Sequence, residues 1–157
     1  MRIFLMILSP FAFWRGINLS RKIYEFKPDL IWMHSILRYI GPHGMRSISN
    51  YESKKYITHH DLGLITPRPS QISRESDIPN SPNLGDWIFR KISIISIISI
   101  LFKWLYIQLI WNSIRRMTIV HIVPSEWMQP YFQKYCKNSP IVYTHTSSLV
   151  KLPRVKN

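Results

Sequence analysis

Residues 54–63 read Lys54-Lys55-Tyr56-Ile57-Thr58-His59-His60-Asp61-Leu62-Gly63. Tyr56, Ile57 and Thr58 favour a strand, because aromatic and β-branched side chains fit the pleated surface of a sheet. The run breaks off in two histidines and an aspartate, and Gly63 releases the chain into a proline-rich stretch. A strand that ends this way delivers polar groups to the rim of a sheet. In open α/β sheets, ligands bind just beyond the carboxyl ends of the strands. Successive strand residues face opposite sides, so the two histidines separate: His60 is the candidate for chemistry and His59 the structural neighbour.

The segment upstream repeats the pattern. Asp29-Leu30-Ile31-Trp32-Met33-His34-Ser35 is a short, continuous apolar run ending in a polar pair, the pattern of a strand buried on both faces. Before it, Asn18 or Ser20 caps a predicted short helix that Pro28 stops, because the ring disfavours helical backbone in the residue it follows. Residues 3–8 are apolar and fit a strand or the start of a helix. The N-terminus has one base and an apolar run, like a signal peptide, but Phe11-Ala12-Phe13-Trp14-Arg15 follows in place of a small-residue cleavage site. Gly41-Pro42-His43-Gly44 predicts a turn, with a helix over 45–53 leading back to the strand at 55–59. Strand, helix, strand implies a crossover and a parallel sheet.

Downstream, residues 62–83 carry Pro67, Pro69, Pro79 and Pro82 among serines and asparagines. This predicts a long irregular loop, of the kind that serves as a lid or binding loop. From Leu84 to about Arg116 a helix is expected, with Asp86 in its first turn and Arg115 and Arg116 at its end. Its middle sets Ser93, Ser96, Ser99 and Lys103 along one side of an otherwise apolar surface. Residues 92–111 are long enough to span a bilayer. Lys103 and Gln108 argue instead for a buried helix, or for one dipping into a membrane surface beside Trp104, Tyr106 and Trp111. Met117 to Val123 is another buried-strand run, ending in Pro124-Ser125-Glu126. Ser125 suits the N-cap of a helix with Trp127, Met128, Tyr131 and Phe132 on its apolar side. Residues 140–145 read as a last strand. The expected architecture is α/β, a Rossmann-like parallel sheet with flanking helices, over residues 1–146, followed by a basic tail over 147–157.

Composition narrows the partners. The 157 residues include 21 Lys+Arg and 8 Asp+Glu, for a formal charge of +13. Such an excess favours polyanions: nucleic acid, anionic lipid headgroups or phosphorylated ligands. Scattered bases without an aromatic RNA-binding signature, a zinc finger or a helix-turn-helix disfavour nucleic acid. No acidic residue lies between Trp87 and Ser125, and Arg90, Lys91, Lys103, Arg115 and Arg116 flank or interrupt the long apolar helix. This favours an anionic membrane surface. The single cysteine, Cys136, excludes an intramolecular disulfide and a multi-cysteine zinc site, and is expected to be a surface or half-buried structural residue.

If the three predicted strands lie parallel, then His34, Ser35, His60, Asp61, Ser125 and Glu126 meet at one edge. His60 and Asp61 suit acid–base work or the binding of sugar hydroxyls. Adjacent His59, His60 and Asp61 make poor metal ligands because neighbouring residues rarely converge, so no metal or other cofactor is expected.

Three of these segments, in order, resemble family-4 glycosyltransferases. Pro28-Asp29-Leu30-Ile31-Trp32-Met33-His34-Ser35 resembles that family's "PDIIH.HS" strand, Tyr56-Ile57-Thr58-His59-His60-Asp61-Leu62 its "VYT.HDL" strand, and Val120-His121-Ile122-Val123-Pro124-Ser125-Glu126-Trp127-Met128 its "D.VIVPSE.M" segment. The resemblance covers roughly residues 20–136. It implies the N-terminal, acceptor-side half of a GT-B fold, in which two Rossmann-like domains face each other across a cleft. It implies that His60 acts catalytically beside the donor sugar and that His34, Ser35, Asp61, Ser125 and Glu126 line the cleft. The implied partners are a nucleotide-sugar donor, held mainly by a second domain, and a sugar or lipid-linked acceptor. The implied location is cytoplasmic, on the inner face of the membrane. Pro28 comes early for the family, and Arg15-Gly16 replaces its glycine-rich loop poorly. The chain therefore resembles a truncated domain, expected to turn over little without a donor-binding partner. Two alternatives stand beside it: a membrane-anchored acceptor subunit of a split transferase, and a non-catalytic basic membrane-binding module.

Overall fold

Residues 13–34, 36–66, 78–79, 83–88, 94–136 and 139–143 are described by a computed structural model of the chain. In chain order the elements are α1 (Phe13–Phe26), β1 (Leu30–His34), α2 (Ile36–Tyr39), α3 (Gly41–Ser49), β2 (Lys54–Thr58), α4 (Leu84–Ile88), α5 (Ile94–Ile114), β3 (Val120–Val123), a 3₁₀ turn (Glu126–Met128), α6 (Gln129–Tyr135) and β4 (Ile141–Tyr143). The apolar run over 3–8, the tail at 147–157, Ser35, and most of the proline-rich loop lie outside the described residues.

The four strands form one sheet in the order β1-β2-β3-β4, and every neighbouring pair is parallel. The α/β architecture expected from the strand–helix–strand pattern is therefore present. Parallel neighbours require crossovers, and these are α3, then α4 with α5, then α6. Among the described strands the order never reverses, so no topological switch point interrupts the sheet. All carboxyl ends still lie along one edge.

Several boundaries differ from expectation. The helix predicted from Asn18 or Ser20 begins at Phe13. It is held by close packing on α3, where the Ser47 hydroxyl donates to the Gly16 carbonyl at 2.9 Å. Lys27 adopts a left-handed φ of 49° just before Pro28, and the helix stops there as predicted. Gly41-Pro42-His43-Gly44 is not a free turn but the first turn of α3. Proline is tolerated there because the first helical N–H groups have no partner to lose, and Gly41 enters with φ +66°. Of the predicted helix from Leu84 to Arg116, the described parts are α4 and α5, and 89–93 lie outside the described residues.

Strand alternation then sorts the sheet into two unequal faces. Met33, Ile57, His59, His121 and Val123 are buried and join Met45, Ile48, Ile107, Ile110, Trp111 and Phe132 in one core. The opposite face carries Leu30, Trp32 and Val142, which are exposed, beside half-buried Tyr56, Val120 and Ile122. The expectation that β1 is buried on both faces is thus corrected: its pattern alternates, with Trp32 at 54% exposure and Met33 at 2%. Lys54 and Lys55 follow the same alternation. Lys55 turns inward, and its Nζ donates to the Tyr51 carbonyl at 2.6 Å.

Candidate functional site

Register fixes the edge. His34 pairs with Thr58 across β1 and β2, and Thr58 pairs with Ile122 across β2 and β3. His60, two residues past Thr58, is therefore level with Pro124, two past Ile122. The ladder continues one step beyond the strand, with the His59 N–H donating to the Ile122 carbonyl at 2.9 Å. His59 then faces the core and His60 faces out.

The outward histidine meets the one from β1. His34 Nδ1 and His60 Nε2 lie 3.0 Å apart, with ring centroids at 5.3 Å and an interplanar angle of 27°. Trp32 supports the pair from the same face. Its ring sits 5.2 Å from that of His34, and its Nε1–H donates to the Thr58 hydroxyl at 2.9 Å. One imidazole must donate to the other. If His34 donates, its Nε2 remains an acceptor and His60 Nδ1–H a donor; if His60 donates, the roles exchange. In either tautomer the pair offers solvent one donor and one acceptor, which matches a sugar hydroxyl, itself both. Both side chains are exposed, so a ligand can reach them.

Asp61 is exposed beside the pair, with its Oδ1 accepting the Gly63 N–H at 2.7 Å. A side chain at position 63 would bring its Cβ to 2.7 Å from that same oxygen, so Gly63 is what lets the turn close on Asp61. The hydrogen-bond partner of His60 is His34, not Asp61. Ser125 and Glu126 reach the same edge one strand further on. Ser125 stands at the N-cap of the 3₁₀ turn, but its hydroxyl makes no capping bond there; Met128 N–H reaches the Ser125 carbonyl at 3.1 Å instead. Among the described residues no hydrogen bond joins Ser125 or Glu126 to the histidines. Trp127, expected on the apolar side of the following helix, is 56% exposed, because the 3₁₀ turn rotates it away from the face that buries Met128.

Lys103 belongs to this edge and was not among the expected site residues. It is half-buried on α5. Burial holds its ammonium below the ordinary lysine range, and the negative charge of Asp61 opposes that shift. The only sequence signal was its isolation in an apolar run. Tyr106, one turn along, donates its hydroxyl to the Leu37 carbonyl at 3.0 Å.

Behind the edge lies a second, buried cluster. His59 Nε2 and His121 Nδ1 are 2.8 Å apart, and Cys136 Sγ is 3.5 Å from the same His121 nitrogen. Phe132 stacks on His59 with centroids 3.9 Å apart, and Trp111 stacks on His121. Desolvation sets the chemistry here. It holds His59 well below the usual imidazole range, holds His121 down to about 4, and pushes the Cys136 thiol up to about 12 against the opposing pull of Arg115. Cys136 is therefore buried and unreactive, not a surface or half-buried residue. Among the described residues no group of three or more His, Cys, Asp or Glu side chains is arranged to hold a metal. An open groove of about 540 Å³ runs between α1 and α3, lined by Tyr24, His43 and Arg46 among others; neither His34 nor His60 lines it.

Comparison with protein-family models, curated proteins and solved structures finds no match for this chain.

Proposed function

We propose that the chain is the acceptor-side half of a two-domain sugar transferase, with a Rossmann-like GT-B arrangement, acting beside a membrane on an envelope or lipid-linked acceptor. What supports this reading is the direct contact of His34 and His60 at the carboxyl edge. The two histidines come from two of the three segments that resemble family-4 glycosyltransferases. Their contact forms a donor–acceptor pair suited to a sugar hydroxyl, with a carboxylate at Asp61 beside it.

In this reading His60 contacts the transferring sugar near the reacting centre, and His34 orients it by fixing which ring nitrogen carries the proton. Lys103 keeps positive charge near Asp61, where a phosphate-bearing ligand would enter. Ser125 and Glu126 border the cleft, and the nucleotide-sugar is held chiefly by a donor-binding domain.

The test supplies a donor-binding domain and measures transfer of labelled sugar from a panel of nucleotide-sugars to a lipid-linked acceptor. His60→Ala is expected to lower transfer at least about a hundredfold, the usual scale for losing one acid–base or oriented polar group. Transfer unchanged by His60→Ala, or absent with the unaltered chain across the panel, overturns the proposal.

A further inference from the structure

The long helix α5 is apolar on both sides but buries only one. Ile107, Ile110, Trp111 and Ile114 are fully or almost fully buried. On the other side Ile98, Leu101, Phe102, Leu105 and Leu109 are 40–50% exposed. Their spacing of three and four residues places them on one continuous stripe. Trp111 and Tyr106, expected at a membrane surface, are committed elsewhere: Trp111 Nε1–H donates to the Leu64 carbonyl at 2.9 Å, and Tyr106 bonds Leu37.

The stripe has a fixed relation to the site edge. Lys103 feels Asp61 and Tyr106 reaches Leu37, so residues 103–106 are level with the carboxyl ends of β1 and β2. At 1.5 Å per residue, the nine residues from Ile94 to Phe102 carry the helix about 13 Å further. The apolar stripe thus begins beyond the histidine edge and runs back past it.

We propose that this stripe of α5 is a docking surface for an anionic bilayer, which holds the carboxyl edge at the level of the headgroups. Charge selects the occupant. A second copy of a chain with a formal charge of +13 is repelled, whereas anionic lipid is attracted. Arg115 and Arg116, both exposed, follow the C-terminal end of α5. Residues 97–114 are long and apolar enough to cross a bilayer by length and composition. The opposite side of the helix, however, is sealed into the domain core, so it lies in the interface. The proposal rests on the sugar-transfer reading only for what the docked edge meets, a lipid-linked acceptor presented from the headgroup layer.

Flotation of the full chain with vesicles of phosphatidylcholine, with and without phosphatidylglycerol, tests it. Binding is expected to the anionic vesicles, weakened by salt. Leu101→Gln with Leu105→Gln alters two exposed side chains at constant charge, and circular dichroism verifies the fold. This variant is expected to lower partitioning about tenfold or more, since buried apolar area sets interfacial binding. Equal partitioning of the folded variant, no binding by the unaltered chain, or resistance to alkaline carbonate extraction (a spanning helix) each overturns the proposal. So does sedimentation showing that the stripe only drives self-association. His60→Ala is expected to float as the unaltered chain does. An unaltered chain that floats but transfers no sugar overturns the function proposed above and leaves this inference standing, whereas one that transfers sugar but does not float overturns this inference alone.

Discussion

Acidification should unfold this domain through its buried imidazoles, and His121 is where the effect can be isolated. The side chain is completely buried, its Nε2 has no hydrogen-bond partner among the described residues, and its pKa is held down to about 4 from 6.5. The unfolded chain binds this proton near pH 6.5, whereas the folded chain resists it until about pH 4. The stabilising difference is therefore complete above about pH 6.5 and is lost as the pH falls from there to about 4. A displacement of roughly 2.5 units corresponds to about 3 kcal/mol at 1.36 kcal/mol per unit. That is a large share of the 5–15 kcal/mol typical of a domain. His59 shifts in the same direction for the same reason, with the His121 charge adding to desolvation, so the slope approaches two protons. Urea denaturation by circular dichroism at pH 7.5, 6.0, 5.0 and 4.5, for the unaltered chain and for His121→Phe, measures this. The variant is expected to be less stable at pH 7.5, because it leaves His59 without its partner, but to have a visibly shallower acid slope. Identical slopes in the two proteins would refute the reasoning.

Two further outcomes follow from the packing. Gly16→Ala places a Cβ 2.8 Å from the Cβ and carbonyl oxygen of His43 and should cost roughly 1–3 kcal/mol as α1 is pushed off α3; the urea midpoint reads it. Cys136, buried with its thiol pushed up to about 12, should resist iodoacetamide at pH 8 in the native chain and react promptly in denaturant. Rapid native alkylation would show that the His59–His121–Cys136 cluster is open to solvent.

The strands were legible because each is a short apolar run closed by proline, glycine or a polar pair, and that punctuation is local. The faces were not. Leu30 to Met33 is continuously apolar, so nothing in its order distinguishes Trp32, left exposed, from Met33, buried in the core. The side α5 buries was hidden for the same reason: the helix is apolar around its circumference, and contact with α3 and β3 chooses the inner face. At the site, alternation separated His59 from His60 on sequence grounds. The contact of His34 with His60 needed the β1–β2 register, which depends on residues 26 apart meeting across a crossover. The buried pairing of His59 with His121, 62 residues apart, and the proximity of Lys103 to Asp61 are likewise set by tertiary packing.

The most direct test of the central claim watches the imidazoles themselves. The chain has six histidines, so a ¹⁵N-histidine-labelled sample gives a spectrum simple enough to assign by substitution. Titration with acceptor-type oligosaccharides and nucleotide-sugars should move the His34 and His60 ring signals together, leave those of His59 and His121 in place, and lose its effect on His34 in His60→Ala. Ring signals of His34 and His60 that stay fixed across saturating sugar ligands, or binding that persists unchanged in His60→Ala, would contradict the account.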